Sequence, residues 1–376
     1  MINFVFNKIT TNYPTWYTAG NTKMEYMAMG LQELGCKTLA INSSGSTTEK
    51  DRDSWGVSAS GIEYITFCSH KRFKTIRNFF KLYKTLKVRK VKGSNVLIMS
   101  TERSYIMLMD ILLAKLLGYK TMFLFHEWRS ALELHSVFHK IDAWIKDYIV
   151  VRLFDKYLPI SHYLLDKCGE VAKKKLIVPV LADYSTEPKK YRIKARFCYC
   201  CSVWYIMRHT MLIDAMDKLV EKKSNVELLL VLSGKDEDIE NFKDSYKKRK
   251  CANCITIRTK VPAEELKEIY GSSLGLIIPM NPDSVADIAR FSQKIAEYVA
   301  TGRPIITNKV GEIPYYFKDR VSAYFTEYDS QGFYRVMLEM LENKETTDKI
   351  GIQGFMVGKE YFDYKVNAKN LIVFIS

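Results

Sequence analysis

The residues best suited to hold a phosphate lie in one segment of the C-terminal half, where a loop leads into a short helix and then a buried strand. The segment runs from Arg290 to Thr307 and reads Arg-Phe-Ser-Gln-Lys-Ile-Ala-Glu-Tyr-Val-Ala-Thr-Gly-Arg-Pro-Ile-Ile-Thr. We expect the amides of Ser292, Gln293 and Lys294 to open the helix, where unpaired N–H groups and the helix dipole favour an anion. Lys294 adds a full positive charge at the same end.

The rest of the segment complements this helix end. Glu297 follows one turn into the helix, where its carboxylate can accept hydrogen bonds from two ribose hydroxyls. Gly302 is expected to end the helix, and Pro304 to fix the entry into the strand. A phosphate-binding end beside a ribose-binding carboxylate predicts a nucleotide site. The alternative interpretation is that Glu297 is only a polar helix residue.

The elements that position this segment are those of an α/β fold, because strand-like apolar runs alternate with helical stretches along all 376 residues. The strands predicted in the first half are Ile2–Phe6, Thr38–Ile41, Ile62–Phe67, Val96–Ser100, Thr121–His126, Tyr157–Ile160 and Lys175–Pro179. Those predicted in the second half are Arg196–Cys200, Glu227–Leu232, Ile255–Arg258, Leu274–Pro279, Pro304–Thr307 and Ala323–Phe325.

Length and a break after Val180 predict two domains. The polar stretch that follows Val180 is poor in strand formers, and the strand–helix alternation then begins again at Arg196. We assign residues 1–182 to an N-terminal domain, residues 190–352 to a C-terminal domain, and residues 353–376 to a segment that crosses back to the first domain. Two doubly wound parallel-sheet domains would face a cleft, where such folds bind ligands.

A net charge of +15 points to an anionic partner. Ten Lys and Arg residues fall between His70 and Lys92 with no acid among them, in a pattern that predicts an amphipathic helix. Aromatic and aliphatic residues lie on one half of that helix, and cations on the other. The residues predicted to contact an anionic membrane are Lys74, Arg77, Phe80, Lys81 and Lys84. The alternative is a helix whose apolar side packs on its own domain.

The cysteines predict no metal site and no disulfide framework. Most of the eight fall in or beside predicted strands, as reduced thiols of a cytoplasmic protein do. Cys251 and Cys254 form a CxxC pair, but a zinc site needs a second ligand pair at suitable spacing. We predict neither a metal nor any other cofactor.

The segment from Lys294 to Pro304 resembles the C-terminal donor-binding motif of glycosyltransferase family 4, whose enzymes have the GT-B fold of two Rossmann-like domains. Further similarities in the second half are Tyr199-Cys-Cys-Ser202 with Arg208, Leu230–Gly234, Val261–Leu266 and Ile269–Pro279. Those in the first half are Ala19-Gly20, Phe125-His126-Glu127 and Leu158–Ser161. The order and spacing of these segments carry the resemblance, which extends over nearly the whole chain.

The resemblance implies a metal-independent hexosyltransferase that retains the configuration of its nucleotide-sugar donor. It implies catalytic roles for His126, Arg208 and Lys294. It implies donor contacts from Gly20, Ser202, Arg208, Ser292, Gln293, Lys294 and Glu297. Three non-functional interpretations stay open. Arg208 could be a solvated surface charge, His126 a structural histidine, and Gly20 a residue needed only for the backbone conformation of the turn.

The chain also departs from the family pattern. Ala289 stands where these enzymes often have a first glutamate that touches the donor sugar, and Asp287 or Asp283 could replace that carboxylate from the loop. Arg208 followed by His209 replaces the usual Lys-Gly pair.

Together these features predict a glycosyltransferase of polysaccharide biosynthesis at the cell envelope. The predicted acceptor is a lipid-linked or cell-surface glycan, and the predicted location is the cytoplasm, peripheral to the inner face of the cell membrane. A nucleotide-sugar epimerase of the GT-B type and a non-catalytic sugar-binding or scaffold subunit are the alternatives. No nucleic-acid reader motif accompanies the basic helix, so nucleic acid is not a predicted partner.

Overall fold

A computed structural model describes residues 1–7, 13, 19–44, 52–68, 73–131, 136–169 and 174–375. The chain divides into two compact units. Unit 1 comprises Met1–Ala182, Ala289–Gln293 and Phe362–Ser376, and unit 2 comprises Asp183–Ile288 and Lys294–Tyr361. The segment 353–376 is therefore split, with its first nine residues in unit 2 and the remainder in unit 1.

In its described residues, unit 1 is a seven-stranded sheet with the order β3-β4-β2-β1-β5-β6-β7. Its strands are β1 Ile2–Asn7, β2 Lys37–Asn42, β3 Ser54–Val57, β4 Glu63–Thr66, β5 Ser94–Met99, β6 Lys120–Phe125 and β7 Lys156–Pro159. The helices between them are α1 Ala19–Glu33, α2 Lys74–Arg89, α3 Ser104–Leu116, α4 Val137–Tyr148 and α5 His162–Lys167. Short 3₁₀ turns at Arg129–Ala131 and Val150–Leu153 flank α4.

Unit 2 contains a six-stranded sheet in the described part of the chain, with the order β10-β9-β8-β11-β12-β13. Its strands are β8 Lys194–Ser202, β9 Glu227–Ser233, β10 Ile255–Arg258, β11 Ser273–Ile278, β12 Ile305–Thr307 and β13 Tyr324–Phe325. Its helices are α6 Ile206–Val220, α7 Asp236–Tyr246, α8 Ala263–Ser272, α9 Val285–Ala289, α10 Gln293–Val299, α11 Ile313–Tyr316, α12 Ser330–Glu342 and α13 Lys344–Tyr361. A 3₁₀ turn at Ala252–Cys254 precedes β10. The last helix, α14 Tyr364–Ile375, belongs to unit 1.

Each sheet reverses its strand order at one point. In unit 1, the chain builds outward from β1 through β2 and then resumes on the other side with β5. In unit 2, it builds outward from β8 through β9 and resumes with β11. The crevice above the carboxyl ends of the strands at such a switch point is where open α/β sheets bind ligands.

Apolar side chains build the two cores. The central strands of both sheets are buried along nearly their whole length, as expected for parallel strands covered by helices on both faces. The terminal helix α14 packs on α1, where a Cβ on Gly30 would lie 2.7 Å from the Cβ of Ala368. The last helix is thus part of the first unit's core.

The predicted α/β class is confirmed, with two corrections. Lys175–Pro179 lies beside β7 and donates to it from the Leu176 and Val178 amides, but it forms an isolated bridge between Lys175 and Tyr157 and not a strand. The short strand β3 was not predicted, and it runs antiparallel to β4, so the first sheet is not wholly parallel. None of the helices formed by the described residues is both long and apolar enough to span a bilayer.

Candidate active site

The switch point of unit 2 is bridged by an ion pair between helices α6 and α9. Arg208 lies in the first turn of α6, after β8, and Asp287 lies in α9, after β11. Their side chains meet at 2.5 Å between Nη2 and Oδ2, and both are largely buried. The same Asp287 oxygen accepts the amide of Asn281 at 2.8 Å. Asp287 thus holds the Arg208 guanidinium at the carboxyl edge of the sheet, although the two residues are 79 positions apart in the sequence.

Arg208 is a permanent cation in this position. Burial alone would lower its pKa, but the negative charge of Asp287 and its hydrogen bond raise the pKa above the ordinary value for arginine. The guanidinium carbon lies 4.4 Å from the centroid of the Tyr205 ring, a cation–π contact that further restricts the side chain. Arg208 is therefore largely buried and fixed, so the alternative of a freely solvated charge is wrong.

His209, the residue after Arg208, anchors the turn between β8 and α6. Its ring is fully buried, and its Nε2 lies 3.1 Å from the carbonyl oxygen of Ser202. Burial lowers its pKa, so the ring stays neutral beside the arginine. Its centroid lies 4.9 Å from that of Phe242, in the core of unit 2. Ser202 ends β8, and its hydroxyl accepts the amide of Trp204 at 3.4 Å.

Lys294 and Glu297 lie on one side of α10 and pair with each other. Their side chains meet at 2.9 Å between Nζ and Oε2, and both are partly exposed. Burial alone would lower the pKa of Lys294, but the Glu297 carboxylate together with the nearby Cys200 and Cys198 raises it above its usual value, so the ammonium stays charged. Both residues were predicted to contact a donor separately, whereas the structure shows them joined in a single polar group.

The charges of Arg208 and Lys294 both act on the carboxyl end of β8. Burial raises the pKa of the Cys201 thiol, and the charges of Arg208 and Lys294 both act against that rise. Two fixed cations therefore stand near one residue at the end of the strand that forms the switch point. In chemical terms, this arrangement suits a phosphate group.

Gln293 and Ser292, also predicted to contact the donor, lie at the start of α10. The Gln293 side chain donates from Nε2 to the carbonyl of Leu181 at 2.6 Å and accepts the Leu181 amide at 3.4 Å, so both of its polar atoms are in use within unit 1. Ser292 is half-buried immediately before α10. Because α10 has seven residues, its dipole is small, and the predicted phosphate contact with its first amides stays a prediction.

Asp287 cannot be a free substitute for the missing glutamate. Its carboxylate already holds Arg208 and the Asn281 amide and is almost completely buried. Ala289 is buried too, and its carbonyl accepts the Ser161 hydroxyl at 2.5 Å. Asp283 is exposed.

Three residues of unit 1 lie near the carboxyl ends of its strands or at the start of α1. His126 directly follows β6, and its Nε2 is buried with no hydrogen-bond partner among the described residues. Burial and the nearby Lys23 both hold the pKa of His126 well below its usual range, so the ring is neutral. Lys23, missed in the sequence, is buried in α1 and donates to the carbonyl of Val178 at 2.5 Å. Gly20 lies in the first turn of α1.

The residues predicted to contact a membrane divide into two groups. Lys74, Phe80 and Lys84 are exposed on α2. Lys81 instead pairs with Asp53 at 2.6 Å, and Arg77 donates from Nη2 to the Cys68 carbonyl at 2.9 Å. The alternative of packing on its own domain holds for Leu82 and Leu86, which are buried, whereas Phe80 faces outward, and the membrane contact stays a prediction. Of the predicted basic run, His70 lies outside the described residues.

Helix α4 is an exposed amphipathic element that sequence reasoning missed. Phe138 is 84% exposed and Trp144 is 53% exposed, and Val137 and Ile141 are also exposed. The spacing of Val137, Ile141, Trp144 and Tyr148 at three to four residues was the available signal.

Metal ligands are not grouped in the part of the chain that the structure describes. No three His, Cys, Asp or Glu side chains there lie close enough together to hold an ion. Cys251 is buried, and its amide donates to Asp217 at 2.9 Å. The predicted lack of a metal or cofactor stays a prediction.

Residues 194–343, which include β8, Arg208, Asp287, Lys294 and Glu297, match the family described as Glycosyl transferases group 1. The resemblance predicted from the Lys294–Pro304 motif is therefore confirmed, and so, at this coarse level, is the prediction of a glycosyltransferase. None of the curated protein sequences matches the chain.

Solved structures with the same fold include several glycosyltransferases. HepE (Alr3699) of Anabaena in complex with UDP has a TM-score of 0.74 at 11% identity, over 100% of this chain and 99% of that one. A glycosyltransferase from Rickettsia africae has a TM-score of 0.71 at 16% identity, over 99% and 97% of the two chains. Sucrose-phosphate synthase of Thermosynechococcus elongatus has a TM-score of 0.73 at 11% identity, over the same shares. The predicted GT-B fold is confirmed.

Proposed function

We propose that this protein transfers a sugar from a nucleoside-diphosphate sugar to a glycan or lipid-linked acceptor, with retention of configuration and without a metal. The observation that carries the proposal is the pair of cations held by ion pairs, Arg208 at the start of α6 and Lys294 in α10, inside the segment that matches the glycosyltransferase family. The HepE structures contain UDP and UDP-glucose, which makes a uridine donor the first to test.

Two fixed cations suit the departure of a nucleoside diphosphate. Breaking the sugar–phosphate bond builds negative charge on the leaving phosphate, and donors already aimed at that charge lower the barrier. The buried carboxylate of Asp287 holds Arg208 in place before any substrate arrives. In this proposal Arg208 binds the diphosphate, while Asp287 is a positioning residue.

Lys294 and Glu297 contact different parts of the donor in this proposal. Lys294 contacts the diphosphate, and Glu297 accepts hydrogen bonds from the ribose hydroxyls. Because the two charged groups sit 2.9 Å apart, the carboxylate of Glu297 helps to keep Lys294 charged until the donor replaces part of that contact.

His126, in unit 1, has a neutral ring that can bind the sugar. Its unpaired, buried Nε2 can form a hydrogen bond with a sugar hydroxyl, which would satisfy an otherwise costly polar atom. We propose that Gly20 lies against the donor phosphates, where a side chain would obstruct them.

A donor-binding protein without catalysis is the second candidate. Neither Ala289 nor the engaged Asp287 offers a free carboxylate to the donor sugar. This candidate predicts donor binding with no release of nucleoside diphosphate.

A panel of nucleoside-diphosphate sugars, beginning with UDP-glucose, tests both candidates by thermal stabilisation and by release of nucleoside diphosphate. We expect one donor to stabilise the protein and to be turned over slowly. Lys294→Ala should abolish the stabilisation. Lys267→Ala is the matched control, because Lys267 forms a similar pair with Glu264 on the exposed side of α8. A donor response retained in Lys294→Ala would show that the site is elsewhere.

We further propose that the protein works at the inner face of the cell membrane, docked through α2, α3 and α4. Helix α3 contacts both α2 and α4, and all three carry exposed apolar residues on their outer sides. The exposed cations Lys74 and Lys84 on α2 complement anionic lipid headgroups. Such a surface would bring a lipid-linked acceptor to the enzyme.

A further inference from the structure

Strand β8 runs further along one of its two neighbours in the sheet than along the other. It pairs with β9 as far as Ser202, whereas its pairing with β11 ends at Cys198. The sheet therefore opens between β8 and β11 beyond Cys198, and this opening is the switch point of unit 2. A strand amide that faces such an opening needs an acceptor from outside the sheet.

The Tyr298 hydroxyl supplies that acceptor. The amide of Cys200, two residues beyond the last pair with β11, donates to the Tyr298 hydroxyl oxygen at 3.0 Å, across 98 positions of the sequence. Tyr298 lies in α10 and is fully buried. Its ring packs edge-on against the ring of Tyr270 in α8, with the two centroids 4.7 Å apart. The end of β8 is thus hydrogen-bonded to the helix that carries Lys294 and Glu297.

This hydrogen bond lies on the side of α10 that carries the proposed donor contacts. Lys294 precedes Glu297 by three residues and Tyr298 by four, and residues three or four apart share one side of a helix. Cys200, whose amide makes the bond, is also near enough to Lys294 to influence its pKa. The position of Lys294 and Glu297 at the end of β8 therefore depends on how α10 is held there.

Apolar packing alone does not fix a short helix precisely. Helix α10 has seven residues, too few to be stable by itself, so contacts with its surroundings determine its place. Its buried apolar side chains make contacts that are not directional, whereas a hydrogen bond requires a defined distance and angle. Tyr184 donates to the carbonyl of Ala296 in this helix at 2.9 Å, and the Tyr298 hydroxyl reaches β8.

We infer that Tyr298 is a positioning residue of the donor site, whose hydroxyl holds α10, and with it Lys294 and Glu297, against the end of β8. The inference rests on the proposed function, which assigns the diphosphate and ribose contacts to these two residues. Removing the hydroxyl keeps the packing of the ring but frees α10 to shift along β8. The contacts with the diphosphate and with the ribose should then weaken together.

UDP binding and UDP-glucose turnover by Tyr298→Phe test this role. We expect the Kd for UDP to rise roughly 10-fold and kcat/KM for UDP-glucose to fall by at least as much, because small displacements of binding groups have large effects. Tyr324→Phe is the matched control, since Tyr324 is also fully buried in unit 2 and its hydroxyl lies 3.0 Å from that of Thr347. It should lower the melting temperature to a similar extent and leave both constants as in wild type.

The preference for ribose distinguishes positioning from a general loss of structure. Wild type should bind UDP more tightly than 2′-deoxyuridine diphosphate, because Glu297 is proposed to accept the ribose hydroxyls. In Tyr298→Phe this preference should shrink by about 3-fold or more, since the carboxylate is no longer aimed at them. The double variant Glu297→Gln/Tyr298→Phe should lose less affinity for UDP than the product of the two single effects. An unchanged preference, or effects that simply multiply, would overturn the inference.

The Cys200 amide provides a readout in the wild-type protein without a donor. Hydrogen exchange measured by NMR should show this amide protected, and rapid exchange would contradict the contact with Tyr298. If wild type binds UDP and Tyr298→Phe binds it equally well, the donor site stands and only the role of Tyr298 is wrong. If wild type binds no nucleoside diphosphate, the proposed function is wrong and the role of Tyr298 falls with it. If the donor panel selects another base, the same titrations use its diphosphate and 2′-deoxy analogue.

Discussion

At the scale of single residues, the ion pair between Arg208 and Asp287 determines whether a cation stands at the switch point of unit 2. We expect Asp287→Asn to lower the free energy of unfolding by about 3–5 kcal/mol, because it leaves a buried guanidinium without its counter-charge. It should also slow release of the nucleoside diphosphate, since Arg208 is then less firmly held. Urea unfolding and steady-state turnover measure the two effects.

An exposed ion pair supplies the control for this prediction. Asp236 and Lys260 lie 3.3 Å apart with more than three-quarters of each side chain exposed, so Asp236→Asn should have almost no effect on stability. Equal effects of the two asparagine variants would mean that the Arg208–Asp287 pair is not the buried contact described above.

Two neutral histidines make stability depend on pH. Burial lowers the pKa of both His126 and His209 in the folded state, whereas the unfolded chain takes up protons near pH 6.5. Because the unfolded state binds more protons below that pH, the free energy of unfolding should fall as the pH is lowered from 7.5 to 5.5. Each histidine contributes at most about 1.4 kcal/mol per pH unit.

Urea titrations at several pH values measure this slope. His126→Gln and His209→Gln should each flatten it, whereas His139→Gln, at an exposed position of α4, should leave it as in wild type. A slope unaffected by either buried replacement would contradict the neutral state of these rings.

The chemistry of Arg208 and Lys294 could be predicted from the sequence, but their partners could not. Arg208 follows a strand and Lys294 opens a helix, which local patterns reveal. The contact with Asp287 spans 79 positions and depends on how β8 and β11 pair. Asp287 was considered only as a sugar contact, because no local pattern shows that its carboxylate is already engaged.

At the scale of elements, Gly311 fixes the distance between the loop after β12 and helix α9. Its φ is +53°, and a Cβ there would lie 2.6 Å from the carbonyl oxygen of Ile288. We expect Gly311→Ala to cost about 2 kcal/mol or more, because the left-handed conformation alone costs roughly 1–2 kcal/mol with a side chain and the backbone contact adds to it. Displacement of α9 would also loosen Asp287, so turnover should fall with stability.

Gly20→Ala is expected to raise stability, whereas Gly311→Ala lowers it. Gly20 lies in α1 with no atom within 4 Å of an added Cβ, so alanine should stabilise the helix by about 0.5–1 kcal/mol. If the donor phosphates approach Gly20 as proposed, the same variant should bind the donor more weakly despite its higher stability. Thermal unfolding with and without UDP-glucose separates the two effects, and unchanged donor affinity would remove Gly20 from the site.

Most elements could be predicted because their apolar runs are long and buried on both faces, as in β1, β5 and β11. The failures have physical causes. The strand β3 has four residues, one of them Gly56, and is only half-buried, so its pattern is weak. Lys175–Pro179 resembles a strand in composition and its Leu176 and Val178 amides donate to β7, but only one residue pair, Lys175 with Tyr157, forms a β-bridge. Proline at position 179 lacks an amide for a ladder.

At the scale of the whole molecule, the exposed apolar sides of α2, α3 and α4 carry the proposal that the protein docks on a membrane. Phe80, 58% exposed, and Trp144, 53% exposed, represent the outer two helices. Soluble proteins rarely leave such neighbouring apolar faces uncovered, and burial of an aromatic side chain is worth roughly 1.5–3 kcal/mol. A membrane would cover aromatic residues on both helices at once, whereas the sequence alone pointed only to α2.

Sedimentation with anionic vesicles should therefore show binding that both helices share. We expect Phe80→Ser and Trp144→Ser each to weaken partitioning roughly 10-fold or more, and Lys84→Gln to weaken it mainly at low salt, because its contribution is electrostatic. Tyr315→Ser, which removes an exposed aromatic residue of unit 2, is the control and should partition as wild type does. If Phe80→Ser lost binding while Trp144→Ser kept it, α2 alone would be the membrane contact. If neither variant altered partitioning, and both abolished self-association instead, these helices would form an interface between two copies of the chain.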